Sequence, residues 1–427
     1  SILLERIGTC LETQGRHSAA TEALQDALAR WRDRGRRKRG ALLDGPVPDG
    51  AREAHLCRRI AVTYERGSAY DEALSWLDRA LAALPVRAGR VGSEVHASKS
   101  MTLYRKGEYR EAIAWGRRAL SVAKRVGDAR AIAYAHNMLA NSHIAEGSLR
   151  AAVRHLTEAV RLYDALEDVP GQAAANNNLG MCYHLMGELD AALRHYELAG
   201  AADERVGDLV DRAVIDNNIG EVLLIQGRLD EADAHLARVL RAREANEELA
   251  AVAGLSYVNL CRIAMARGDL DAAERHARTG IRVLTDVGAK GLLTEAQIQQ
   301  AELHLAQGDA AGALRQASVG LHEATESGDR LLEARAQRIA ALALAATGGG
   351  DAAAIQLATS AALARRIGAG HEEARSLLAL TLLRVQSGGH PRGDGVRRAA
   401  AILSRMGAAP ELAQAQALLA RLQRSRT

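Results

Sequence analysis

The chain has 427 residues, a length that ordinarily suggests two or three globular domains, yet its composition points to one repeated architecture. With 6 prolines, no phenylalanine, 3 tryptophans and 9 tyrosines, it has few residues that favour strands, while Ala, Leu, Arg and Glu favour helices. The net charge of +4 comes from 56 basic and 52 acidic residues that are well mixed, which argues against a chain organised around nucleic-acid phosphates.

The cysteines indicate neither a zinc site nor a disulfide framework. Cys10, Cys57, Cys182 and Cys261 are far apart and form no CxxC pair, which fits a reducing compartment. The sequence shows no apolar run long enough to cross a membrane and no signal peptide at its start. We therefore predict a cytoplasmic chain that uses no cofactor and contacts no membrane. It enters an amphipathic helix directly from Ser1, which leaves room for catalytic domains upstream.

The strongest pattern is a glycine that recurs between two helical segments, with successive spacings of 40, 40, 40, 40, 41 and 40 residues. These glycines are Gly67, Gly107, Gly147, Gly187, Gly227, Gly268 and Gly308. Gly15 opens the series, and Gly348 and Gly388 continue it. Chance does not produce this spacing, so we predict about ten structural repeats.

Apolar and small residues recur at steps of three and four on both sides of each glycine, which predicts two amphipathic helices per repeat. The glycine allows the chain to reverse between them, through a positive φ or an uncrowded turn. A second glycine, as in Val206-Gly207-Asp208, ends the second helix before the next repeat. Because one pair cannot bury its apolar face alone, neighbouring pairs must stack. The fold class is therefore all-α, a solenoid of helix pairs.

These features resemble the tetratricopeptide repeat (TPR). The pattern of Leu-Gly, a tyrosine, the turn glycine, Ala, a large residue and a final Ala is matched in one repeat. The matching residues are Leu179, Gly180, Tyr183, Gly187, Ala192, Tyr196 and Ala199. The resemblance covers nearly the whole chain and implies a right-handed superhelical solenoid of TPR-like pairs, here with a 40-residue period in place of the usual 34.

A narrower resemblance concerns phrases such as Asn177-Asn178-Leu179-Gly180 and Gly227-Arg228-Leu229-Asp230-Glu231-Ala232. They are similar to the C-terminal TPR region of large bacterial signalling proteins that carry a cyclase, kinase or DNA-binding head and a central ATPase. The resemblance implies that such effector domains of the same protein are partners of this chain. It transfers no nucleotide site, because the sequence has no matching motif.

Four segments are predicted along the chain. Residues 1–31 form a first TPR-like unit, 32–52 a basic loop rich in Gly and Pro, 53–345 the core superhelix, and 346–427 degenerate C-terminal repeats with a capping helix from Pro410. The basic run from Arg30 to Arg39 fits either a solvated loop or, less well, a dock for nucleic acid or an acidic partner.

Asparagines recur on the first helices of successive repeats, although Asn is a mediocre helix former. Asn178, Asn218 and Asn259 lie nine residues before their turn glycines, and Asn137, Asn177 and Asn217 lie ten before; Asn141, Glu221 and Arg262 lie six before. In TPR proteins first helices line the concave face, and an amide there can bind the backbone of an extended peptide. The resemblance thus implies that these nine residues bind a peptide. Alternatively, the amides bond between neighbouring helices and hold the repeats in register.

A second row consists of histidines eight residues after the turn glycines: His155, His195, His235 and His276. Equivalent positions are separated by two helix widths, roughly 10 Å or more, whereas ligands of one zinc lie within about 4 Å of each other. We therefore predict a packing role and no metal site.

No phosphate loop, HExxH motif or nucleophile elbow occurs in the sequence, so we predict that the chain is not an enzyme. The leading hypothesis is a peptide- or protein-binding scaffold, the regulatory or sensor arm of a bacterial signalling protein. The alternative is a structural module that self-associates into homo-oligomers through its Ala- and Leu-rich C-terminal repeats.

Overall fold

A computed structural model of the chain describes residues 2–13, 17–40, 50–85, 89–389 and 393–424. Within these ranges the chain forms α-helices, one short 3-10 helix and turns, and it has no strand. The predicted all-α array of about ten helix pairs is confirmed, with one further helix at the C-terminal end of the described residues.

The helices of the first half are α1 Ile2–Thr13, α2 His17–Gly40, α3 Gly50–Arg66, α4 Tyr70–Ala83, α5 Gly89–Lys106, α6 Tyr109–Val126, α7 Ala129–Ala145, α8 Leu149–Ala165, α9 Val169–Met186 and α10 Leu189–Val206. Those of the second half are α11 Leu209–Gln226, α12 Leu229–Ala245, α13 Ala250–Ala266, α14 Leu270–Asp286, α15 Lys290–Ala306, α16 Ala310–Ser327, α17 Arg330–Ala346, α18 Gly350–Ile367, α19 Gly370–Gln386, α20 Asp394–Met406 and α21 Ala409–Arg424. Odd-numbered helices from α1 to α19 are the first helices of the pairs, and even-numbered ones are the second helices.

The chain divides into two compact units, unit 1 from Ser1 to Ala175 and unit 2 from Asn176 to Thr427, with the division inside α9. In each unit consecutive helices pack on each other. First helices of neighbouring pairs also pack side by side, α3 on α5 and α5 on α7 in unit 1, and α11, α13, α15, α17 and α19 in series in unit 2. Side chains of the first helices are thereby brought together from successive repeats.

The glycines and aspartates of the repeat explain where each helix begins and ends. Gly207, with φ 75°, ends α10 in the left-handed conformation that a residue without a Cβ adopts readily. Asp208 follows and accepts hydrogen bonds from the backbone N–H groups of Val210 and Asp211 at 3.1 and 3.0 Å, which caps α11. The turn glycine between α11 and α12, Gly227, has φ 81°. The helix ends and starts predicted from the sequence therefore have a local physical cause.

The predicted loop at 32–52 differs from the structure at both ends. Helix α2 continues to Gly40 and α3 starts at Gly50, while residues 41–49 and the predicted repeat glycine Gly15 lie outside the described residues. Arg and Lys are good helix formers, so a run of them extends a helix as readily as it forms a loop. At the exposed start of this run, Arg32 donates two hydrogen bonds to Glu53 of α3, at 2.9 and 2.6 Å.

The sequence was expected to hold no apolar run long enough to cross a membrane, but within the described residues one segment, Glu247–Ala266, meets that length and composition. Of its most apolar stretch, 61% is buried in the protein. The segment contains α13, which packs on α11, α14 and α15. Its apolar side chains are those of a helix in the middle of unit 2.

The histidine row joins the two helices of each pair. Each histidine contacts the residue nineteen positions earlier, on the first helix of its own pair. Nδ1 of His155 lies 2.8 Å from Nδ1 of His136, Nδ1 of His195 lies 2.9 Å from Oδ1 of Asn176, Nδ1 of His235 lies 2.7 Å from Oδ1 of Asp216, and the ring of His276 stacks on Tyr257. The row therefore has the packing role predicted from its spacing.

In unit 1 the row forms a cluster of three histidines. The ring of His143 stacks on that of His155 with centroids 5.6 Å apart, and the centroid of the His136 ring lies 5.0 Å from that of His155. Burial, followed by the neighbouring His136 and His143, lowers the pKa of His155 to about 4. Burial also lowers the pKa of His136 and His143. The cluster is thus neutral at physiological pH.

A close approach between a glycine and an aromatic ring holds α9 against α10. Tyr196 is 1% exposed, and a Cβ added at Gly180 would lie 2.5 Å from its Cδ1 atom. The Leu-Gly position of the repeat therefore accommodates the large residue of the second helix.

We predict that Gly180→Ala destabilises the protein by up to about 2 kcal/mol. Alanine gains roughly 1 kcal/mol in helix propensity, but crowding a packed core costs about 1–3 kcal/mol. The control is Gly291→Ala in α15, where an added Cβ meets no atom within 4 Å; this variant should be unchanged or more stable. Urea unfolding measures both. A Gly180→Ala protein as stable as the Gly291→Ala protein would contradict the packing account.

A second prediction concerns acid. Because the folded pKa of His155 lies below the ordinary value of about 6.5, the unfolded chain binds more protons between that value and about 4. The free energy of unfolding should therefore fall as pH drops through this window, and His155→Gln should reduce the fall. Replacement of His322, whose side chain is 73% exposed, is the control. Equal pH dependence in all three proteins would exclude the cluster as its source.

Candidate functional site

Of the nine predicted binding residues, Asn137 and Asn141 lie on α7 of unit 1, and Asn137 is buried. The other seven lie on α9, α11 and α13 of unit 2. Asn177 bonds Asn218, while Asn217, Asn259, Arg262 and Glu221 form a second hydrogen-bonded set. We call the surface formed by the polar side chains of α9, α11, α13, α15, α17 and α19 in unit 2 the first-helix face.

Amides connect three successive first helices of this face. Nδ2 of Asn218 donates to Oδ1 of Asn177 at 3.3 Å, which joins α11 to α9. Oδ1 of Asn217 accepts from Nδ2 of Asn259 at 3.3 Å and from Oγ of Ser256 at 3.1 Å, which joins α13 to α11. Asn217 and Asn259 are each 5% exposed. These two amides therefore hold neighbouring repeats together, as the alternative interpretation of the sequence expected.

Asn177, Asn178 and Asn218 are only partly buried, so their side chains reach the surface of the face. Beside them, Nη1 of Arg262 donates to Oδ1 of Asn259 and to Oε1 of Glu221, each at 3.1 Å. The Arg262 and Glu221 side chains are 14% and 24% exposed. Burial alone would raise the pKa of Glu221, but the charges of His184, Arg262 and Arg335 lower it overall. Glu221 is therefore an anion.

The face continues onto helices that carry none of the nine predicted binding residues. Nη1 of Arg335 donates to Oε1 of Glu295 at 2.8 Å, joining α17 to α15. Glu302 of α15 accepts from Arg338 of α17 at 3.4 Å and from Arg375 of α19. The charges of the two arginines hold the pKa of Glu302 low although its burial acts in the opposite direction. Positive and negative groups thus alternate along the face.

The most buried pair of the face is Arg338 and Glu372, which are 2% and 4% exposed. Nε of Arg338 donates to Oε1 of Glu372 at 2.5 Å, and Oγ of Ser376 donates to the same oxygen at 3.4 Å. Nη2 of Arg338 is buried and has no hydrogen-bond partner among the residues that the structure describes. This guanidinium has a donor that a water molecule or a ligand acceptor can satisfy.

A sequence signal for the additional charges exists. Glu295, Arg335 and Arg375 all lie thirteen residues before their turn glycines, Gly308, Gly348 and Gly388. The asparagine rows lie one helical turn closer to the glycine, on the same side of the helix. Extending the register count by that turn would have found them, and would have shown that the degenerate C-terminal repeats contribute to the face.

Two family models match the chain. The model described as MalT-like TPR region matches residues 165–425, and the model described as tetratricopeptide repeat matches residues 96–165. No curated protein matches the chain at significant similarity.

Solved structures of low sequence identity share the fold. A Rap protein complexed with Competence and Sporulation Factor is 16% identical, with a TM-score of 0.58 over 86% of this chain and 99% of that one. The quorum sensor NprR from B. thuringiensis, in its apo form, is 10% identical, with a TM-score of 0.57 over 84% and 100%.

A third structure is that of a signal transduction ATPase with numerous domains (STAND) and a tetratricopeptide repeat sensor, from Pyrococcus horikoshii. It is 12% identical, with a TM-score of 0.51 over 80% of this chain and 52% of that one. The structures agree with the family models on the fold, and the MalT-like model spans more than half of the sequence. The chain therefore belongs to the tetratricopeptide repeat family whose members share a MalT-like TPR region.

Proposed function

We propose that this chain is a protein- or peptide-recognition scaffold, without catalytic activity of its own, whose concave surface in unit 2 is the first-helix face. The observation that carries the proposal is the combination of partly exposed amides with partly exposed charges of both signs. Asn178 and Asn218 offer donors and acceptors to a peptide backbone, while Glu221 and Arg262 offer charges to its side chains.

The charged pairs of the face keep part of their surface in contact with water. Buried ion pairs contribute little net stability compared with well-packed apolar residues, because the desolvation cost offsets the attraction. Yet the pairs Glu295–Arg335 and Glu302–Arg375 keep between 17% and 26% of their side-chain surface exposed. Partly hydrated charges that are already ordered lose less freedom when a polar ligand binds.

The proposal extends to a role as the sensor or regulatory arm of a bacterial, cytoplasmic signalling protein. Two of the similar structures are a quorum sensor and a STAND ATPase with a TPR sensor, and this chain matches about half the length of the latter. Partner binding on the first-helix face would then be reported to effector domains attached to the same protein. Comparison of the signalling output of the whole protein with and without Asn178→Ala tests this extension.

Self-association is the second class of function considered from the sequence. The C-terminal repeats bury much of their apolar surface inside unit 2, including Val396, Leu403 and Ala415. This burial reduces the apolar surface that self-association would use, although Ile355 and Leu382 remain 70% and 41% exposed. Sedimentation of the purified chain over a range of concentrations should show no growth of oligomers.

The binding proposal predicts that the double variant Asn178→Ala and Asn218→Ala loses ligand capture while remaining folded. The probe is an immobilised library of random extended peptides, from which the unmodified chain selects binders. Arg241→Ala, at an exposed position of the second helix α12, is the control and should select the same peptides. Thermal unfolding verifies that each variant folds. Selection that is unchanged in the folded double variant would show that the face does not bind peptides.

The ion pairs Arg338–Glu372 and Arg262–Glu221 should also differ in how much they stabilise the fold. Arg338→Ala leaves the buried carboxylate of Glu372 without its main partner and is expected to cost about 3–5 kcal/mol. Arg262→Ala breaks a pair whose carboxylate is 24% exposed and can bond water instead, and it is expected to cost about 1–3 kcal/mol. Urea unfolding of the two variants measures the difference in their free energies of unfolding. Equal losses would contradict the assignment of Arg338 mainly to stability and of Arg262 mainly to binding.

A further inference from the structure

The C-terminal helices α20 and α21 return to the first helices of unit 2. Helix α21 contacts α11 and α19. Leu403, Met406 and Ala408, which are at most 5% exposed, share one apolar cluster with Leu189 and Leu223 from the start of the unit. The last two helices therefore pack against pairs that lie far away in the sequence, in addition to their neighbour.

This contact occurs at two turn glycines. A Cβ added at Gly187 would lie 2.8 Å from Cγ of Met406, and one added at Gly227 would lie 2.7 Å from Cγ of Pro410. The equivalent Gly268 and Gly308 have no atom within 4 Å of such a Cβ. Two of the recurrent glycines thus have a second function, which is to receive the side chains of the C-terminal segment.

A cleft that is open to solvent borders this contact. A cavity of about 390 Å³ lies beside Met406 and is lined by the turn at Gly187, the start of α19 and one side of α20. Its walls carry charged groups of both signs, Glu188, Glu373, Arg398 and Arg405. Among its described residues, helix α21 buries Ala415 and Leu422 alone. Because water already reaches one side of the contact and α21 buries little apolar surface, α21 can separate from the rest of unit 2 at low cost.

Helix α21 also contacts α19, the last helix of the first-helix face. Nε2 of His371 on α19 lies 3.1 Å from Oε1 of Glu411 on α21. The neighbouring Arg375, which bonds Glu302 on the first-helix face, also acts electrostatically on Glu411. Movement of α21 would therefore change the electrostatics of the face.

We propose that residues 393–424 form a C-terminal latch that opens as a unit while the helix pairs of residues 176–389 stay folded. Opening separates Met406 and Pro410 from the two turn glycines and uncovers the end of the first-helix face. A protein-sized ligand would then enter the face through the open latch, a step that rests on the proposed function. The opening itself requires no ligand.

Hydrogen exchange of the whole chain, without ligand, tests the latch. Backbone amides of α20 and α21 should exchange through a local opening, at least tenfold faster than the protected amides of α11 and α13. Exchange of all four helices at one common rate would show that unit 2 opens only by global unfolding, and would overturn the proposal.

A matched pair of variants locates the contact. Gly227→Ala and Gly308→Ala introduce the same backbone strain, because the two glycines have φ 81° and 82°. Only Gly227→Ala also collides with Pro410, so it should accelerate exchange in α21 roughly tenfold beyond the control. Met406→Ala removes the side chain that packs on Gly187 without adding backbone strain, and it should also accelerate exchange in α21. If both glycine variants accelerated hydrogen exchange in α21 equally and Met406→Ala did not accelerate it, this contact would not be what holds α21 in place.

Because the experiment uses no ligand, its outcome is independent of peptide selection by the first-helix face. A latch that opens in a chain that selects no peptides would refute the proposed function alone. Peptide selection by a chain whose latch never opens separately would refute the latch alone.

Discussion

Every repeat in this protein depends on contact with the next one, because a single pair of helices cannot bury its apolar side. In unit 2 the contact has two parts. Small and aliphatic residues pack between consecutive helices, and polar side chains join consecutive first helices, as Asn217 and Asn259 do. The second part places amides and charges where an ordinary helical core would be apolar. The candidate binding surface is thus built from the groups that also join the repeats.

The dual use of these groups sets a limit on what each residue contributes to binding. Asn217 is almost fully buried and has its amide oxygen occupied by two donors. Asn178 and Asn218 are more accessible and better placed to meet a ligand. Solvent exposure also distinguishes the two ion pairs: Arg338 and Glu372 are buried, whereas Arg262 and Glu221 are partly exposed. Residues that stabilise the fold and residues available for binding therefore lie at neighbouring positions of the first helices.

Most of the fold was predictable because it is local. The spacing of Gly187 and Gly227 fixes the turns, and the pattern around them specifies two helices per repeat. The contact of Met406 with Gly187 was not predictable, because it joins residues 219 positions apart (406 minus 187). It depends on the number of helix pairs that the chain forms before its last helices return to the start of unit 2. The charges at Glu295, Arg335 and Arg375 share a register but differ in sign, so a search for one repeated residue type overlooks them.

The central claim is that the first-helix face of unit 2 is the recognition surface. It is tested most directly by photo-crosslinking. A peptide selected by the unmodified chain is given a photoreactive group, irradiated in the complex and located by mass spectrometry. The account predicts adducts on α9, α11 and α13, near Asn178, Asn218 and Arg262. Adducts confined to the second helices α10, α12 and α14 would contradict it.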